Sequence, residues 1–102
     1  MRVKHEVIRW HRKTFPRIAM DALLGKLREE CLELVEAIDS KITDDIVEEM
    51  ADVRIVSEAF FRFRKASSLD TETMNKLAIN KKRVWGKEDD KGNRGRDRQA
   101  KD

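Results

Sequence analysis

The chain of 102 residues has no tyrosine, one cysteine, one proline and four glycines. A single cysteine excludes an intramolecular disulfide framework and every multi-cysteine zinc motif, so Cys31 reads as a small core residue. No apolar run approaches the roughly 20 residues that span a bilayer, and the opening MRVKHEVIRWHRK lacks the apolar stretch of a signal peptide. The expectation is a soluble, cytoplasmic protein without a membrane partner. Charge of one sign is also missing: 23 Lys and Arg stand against 20 Asp and Glu, so the pI near 9.2 overstates how basic the surface is. There is no strand pattern worth defending, and no internal repeat of the kind that marks a solenoid.

What is present is helical periodicity. Val3, Val7, Trp10 and Thr14 share a stripe that Phe15-Pro16 closes, which predicts a first helix over 3–14. Met20, Leu23, Leu24, Leu27, Cys31, Leu34, Val35 and Ile38 predict an amphipathic second helix over 20–39. Thr43 or Asp45, with Glu48 completing a capping box, opens a third helix expected to reach about Lys65. Ser68 or Asp70 is placed to cap a fourth, over 71–84, which Trp85-Gly86 ends. From Gly86 the chain holds three of its four glycines, eleven charges and almost nothing apolar, which predicts disorder. The fold class is therefore all-α: a four-helix domain over 1–85 and a disordered charged tail over 86–102. With 42% of residues charged the core must be thin, so an oligomer is the expected state.

The carboxylates carry the chemistry. At about 100° per residue, Glu49 and Asp52 fall on the side of the third helix that holds Ile46, Val53, Val56, Phe60 and Phe63, the face expected to be buried. Ionised groups lose their hydration on burial, so something positive should sit there. On the second helix Glu30 and Glu33 border the apolar stripe, with Lys26 one turn earlier. Antiparallel packing across the short 40–43 connection would let the ExxE pair face the ExxD pair and bring four carboxylates together. An all-oxygen set of this kind suits Mg²⁺, or Mn²⁺ in its place, rather than zinc. A di-iron bundle needs Glu-x-x-His pairs, and the two histidines, His5 and His11, both lie in the first helix. On the fourth helix Lys76, Asn80 and Arg83 form one polar stripe of phosphate-binding chemistry.

The segments KLREECLELVEAI and VEEMADVRIV, an ExxE pair followed by an ExxD pair, resemble the MazG-like all-α nucleoside triphosphate pyrophosphohydrolases. RWHRKTF and KLAINKKRVWG look like flanking signatures of the dATP/dGTP pyrophosphohydrolase branch, found in phages and bacteria. The resemblance implies a four-helix MazG-like bundle that hydrolyses a nucleoside triphosphate, with purine deoxynucleotides foremost, to a monophosphate and pyrophosphate with Mg²⁺. It implies metal binding by Glu30, Glu33, Glu49 and Asp52, with Glu30 or Glu33 as the general base. It assigns phosphate or sugar contacts to Lys76, Asn80 and Arg83, and matches Trp10 to the N-terminal signature. It also implies a homodimer or homotetramer.

Other readings of the same residues stay open. Trp10 can stack on a base or pack in a core or subunit interface, and His11 can hydrogen-bond a base or face solvent. The basic first helix, Arg62-Phe63-Arg64-Lys65 and Lys81-Lys82-Arg83 would also suit a nucleic-acid-binding module, although that reading leaves Glu49 and Asp52 unexplained and nucleic acid is not the expected partner. A non-catalytic assembly protein is the third alternative.

Overall fold

A computed structural model describes residues 2–97. Among them the chain is all-α: α1 spans Val3–Thr14, α2 Met20–Ser40, α3 Thr43–Phe60 and α4 Leu69–Lys82, with a 3₁₀ turn at Phe61–Phe63 after α3. No helix among the described residues is long and apolar enough to cross a membrane. The described residues form two compact units, one reaching Leu69 and one beginning at Asp70.

In the first unit α2 and α3 form a helical hairpin and α1 packs on α3. The hairpin turns in two residues. Lys41 takes a left-handed conformation (φ 61°, ψ 19°) that ends α2, and its N–H donates to the Ile38 carbonyl at 3.1 Å. The Ser40 hydroxyl donates to the Ala37 carbonyl at 2.6 Å and accepts from the Ile42 N–H at 3.4 Å. This turn sets the register of everything that follows. Glu30 lies eleven residues before Lys41 and Asp52 eleven after it, while Glu33 and Glu49 lie eight before and eight after. With a rise of about 1.5 Å per residue, each acid comes level with its counterpart on the returning helix. The core is thin, as the charge content predicts: Leu23, Ala37 and Ala59 are the buried apolar residues, and His11 and Glu58 are buried with them.

Several local expectations are corrected. Neither Thr43 nor Asp45 caps α3; Ile42 holds the N-cap position with no side-chain bond, and Thr43 is already helical. The α-helix stops at Phe60 rather than near Lys65, because the chain tightens into the 3₁₀ turn and Arg64 leaves helical geometry (φ −133°, ψ 76°). That turn brings Phe61 as well as Phe63 close to Phe60, at 6.2 and 6.1 Å between ring centroids, although helical projection separates Phe61 from the other two. Cys31 is exposed rather than packed.

In the second unit α4 ends at Lys82, one residue short of Arg83, and residues 84–97 fold back in a hairpin-like loop. Asp97 N–H donates to the Val84 carbonyl at 2.8 Å, Gly86 N–H to Gly95 at 2.7 Å and Asp89 N–H to Asn93 at 2.8 Å. The Asp89 carboxylate accepts from the N–H groups of Lys91 and Asn93, and Gly92 supplies the positive φ (81°) at the tip. Disorder is the expectation from Gly86; residues 86–97 make these bonds, and the last five residues of that expectation lie outside the described ones. Composition registers apolar burial, and this loop is held by backbone and Asx bonds instead.

Candidate functional site

A cleft of about 530 Å³ opens between α1, α2 and α3. One wall is aromatic, built from Trp10, His11 and Phe15; Lys26, Glu30 and Asp52 line another part, over a floor that includes Leu23 and Val56. The aromatic residues follow from the end of α1. Pro16 halts the helix, Phe15 turns out of it, and the Phe15 ring comes to 5.9 Å from Trp10 and 5.0 Å from His11. Trp10 stays 52% exposed, so it belongs to the cleft rather than to a core.

The acidic wall follows from the hairpin register. Glu30, Glu49 and Asp52 each offer a carboxylate oxygen, and these oxygens all lie within 4.8 Å of one another. Glu33 lies near enough to Glu30 to raise its proton affinity but stands outside that trio. Burial differs from the sequence expectation: Glu30 and Glu49 are half-buried, while Asp52 and Glu33 are exposed. The stripe calculation places Asp52 among valines, but the opening of the cleft leaves its side chain in water. One oxygen on each of Glu30 and Glu49 is nevertheless sealed from solvent with no hydrogen-bond partner.

Both glutamates consequently hold protons above the usual carboxylate range. For Glu30 the first cause is burial, followed by the hydrogen bond with Glu33 and the negative charges of Glu33, Asp52 and Glu49. For Glu49 burial again leads, followed by the charges of Glu33, Asp52, Glu48 and Asp45. Converging carboxylates with sealed, unpartnered oxygens suit a hard divalent cation, which would satisfy both the orphaned oxygens and the mutual repulsion.

The second unit carries the other predicted residues. There the Arg83 guanidinium donates to the Asn80 side-chain oxygen at 3.0 Å, and the Trp85 indole donates to the Asn80 carbonyl at 3.0 Å; Lys76 is exposed. Sequence reasoning missed Glu58, buried to 1% exposure on α3. It also missed a clamp at the end of α1. Arg62 Nη1 donates to His11 Nδ1 at 2.8 Å and to the Phe15 carbonyl at 2.7 Å, and Nη2 donates to the Pro16 carbonyl at 3.2 Å. Fifty-one residues separate Arg62 from His11, and no local pattern announces the pairing. One of the basic residues available to a nucleic-acid-binding reading is thereby engaged within the protein.

A family model described as the MazG nucleotide pyrophosphohydrolase domain matches residues 19–84. No curated protein and no solved structure matches the chain.

Proposed function

Because the chain belongs to the MazG nucleotide pyrophosphohydrolase family, we propose that it hydrolyses nucleoside triphosphates, purine deoxynucleotides foremost, to the monophosphate and pyrophosphate with Mg²⁺ as cofactor. The observation that carries this reading is the trio of Glu30, Glu49 and Asp52, of which Glu30 and Asp52 line a cleft whose other side is aromatic. The two ends of the cleft suit the two ends of a nucleotide.

Trp10 offers an exposed ring face on which a base can stack, and the edge-on Phe15 ring behind it holds its orientation. Lys26, on the cleft wall, meets phosphate oxygens. Glu30, Glu49 and Asp52 would hold the cation, which when bound would neutralise charge on the triphosphate and make water a stronger nucleophile. That leaves Glu33 as the carboxylate to accept the proton of the attacking water. As the water oxygen bonds to phosphorus, the bond between the α- and β-phosphates breaks and pyrophosphate leaves. Lys76, Asn80 and Arg83 keep the phosphate- and sugar-contacting roles their motif implies. The working form is a homodimer or homotetramer.

The test is a product assay with Mg²⁺ and a panel of deoxynucleoside and ribonucleoside triphosphates. Monophosphate plus pyrophosphate is expected; orthophosphate release, or no turnover with Mg²⁺ or Mn²⁺, overturns the reading. Glu49→Gln and Asp52→Asn should each lower turnover at least about a hundredfold, as loss of transition-state charge stabilisation does, while circular dichroism shows both still folded. Full activity in both variants would remove the acidic trio from the mechanism.

A further inference from the structure

The aromatic end of the cleft contains a polar group whose hydrogen-bonding direction is fixed by the protein. A guanidinium has donors only and keeps its charge, so at 2.8 Å from Arg62 Nη1 the Nδ1 of His11 is an acceptor. A neutral imidazole that accepts at Nδ1 carries its proton at Nε2. Arg62 is itself tethered to the Phe15 and Pro16 carbonyls and stacks 5.7 Å from the Phe63 ring centroid. The His11 ring is held just as firmly, between Trp10 and Phe15 and only 5% exposed. Its Nε2 has no hydrogen-bond partner among the described residues, yet the ring forms part of the cleft wall.

A donor fixed in place and in polarity, between aromatic rings, favours a ligand atom that accepts and penalises one that donates, because a mismatched polar pair is left unsatisfied. We propose that His11 is a specificity-determining residue: its Nε2–H donates to an acceptor atom on the edge of the bound base, a ring nitrogen or a carbonyl oxygen, and Arg62 is the positioning residue that fixes this polarity. The base-reading role rests on the nucleotide reading above; the polarity of His11 rests on the Arg62 clamp alone.

Two measurements separate these layers. Long-range ¹H–¹⁵N correlation spectra of the full chain at neutral pH, without nucleotide, should show His11 as the Nε2–H tautomer. Arg62→Met should return His11 to an averaged pattern. A wild-type His11 protonated at Nδ1, or at both nitrogens, overturns the proposal whatever the activity. In steady-state kinetics, His11→Phe should raise KM for the preferred triphosphate by about three- to tenfold, the value of one neutral hydrogen bond, with kcat little changed and the ranking of bases flattened. His11→Gln, which keeps a donor but not its fixed polarity, should fall between the two, and a deoxyribose triphosphate without a base should be handled alike by all three proteins. An unchanged base ranking in both variants overturns the base-reading role and leaves the pyrophosphohydrolase reading intact. No turnover of any triphosphate by the wild type defeats both.

Discussion

Glu30 and Glu49 each hold one carboxylate oxygen where neither water nor a protein donor reaches it. The unfolded chain has no such arrangement, so both residues bind protons more tightly when folded. Between the ordinary glutamate value and the raised folded one, the folded state therefore carries more protons, and stability falls as pH rises through that window. Relative to wild type, Glu30→Gln should accordingly gain melting temperature in EDTA as pH increases, with the advantage small near pH 4.5 and growing as pH rises through the raised folded value. A difference that stays flat across the titration would dissociate Glu30 from the like-charge cluster. His11 works in the opposite sense. Burial first, and Arg62 second, lower its proton affinity, so the stability it contributes is complete above about pH 6.5 and is lost as pH falls through its depressed folded value. The metal-free protein is thus opposed by its carboxylates on one side and by its histidine on the other.

At the scale of the element, the α2–α3 turn is the most demanding backbone feature. Lys41 occupies the left-handed region that glycine adopts without penalty, at a cost of about 1–2 kcal/mol for a residue with a Cβ. Lys41→Gly should therefore stabilise the protein by up to about 1 kcal/mol after the extra freedom of the unfolded chain is deducted, and Lys41→Val should destabilise it by at least as much. Denaturant midpoints of the two variants would check the sign, and a loss in both would mean that Lys41 contributes through its side chain instead. Helix positions were legible because apolar spacing and Pro16 declare them; α1 was readable to the residue. The ends were less so. The 3₁₀ closure of α3 depends on three phenylalanines clustering in space, and the loop over 86–97 on bonds between polar backbone groups, neither of which leaves a periodic trace. Of the four carboxylates expected to converge, Glu30, Glu49 and Asp52 come together, because their motifs lie equally far from one turn, and Glu33 stands outside the trio. The Arg62 clamp could not be read, since it joins residues that only tertiary packing brings together.

For the molecule as a whole, few buried apolar side chains support the first unit, and Leu32, Val35, Ile38, Val47 and Met50 remain exposed on α2 and α3. Ligand binding and self-association should then weigh heavily in its stability. Saturating Mg²⁺ should raise the melting temperature by several degrees, as binding at about a hundred times Kd adds about 2.7 kcal/mol, and Glu49→Gln with Asp52→Asn should abolish that rise. A homo-oligomer should further show a melting temperature that climbs with protein concentration; an unchanging value with a monomer mass in sedimentation would argue for a single chain. The equal arms on either side of Lys41 constrain how this chain can change length. One residue inserted between Glu30 and Lys41 turns Glu30 by about 100° away from Asp52, and no substitution elsewhere restores it. The stretch from residue 30 to 52 must therefore keep its count of residues for the carboxylates to meet.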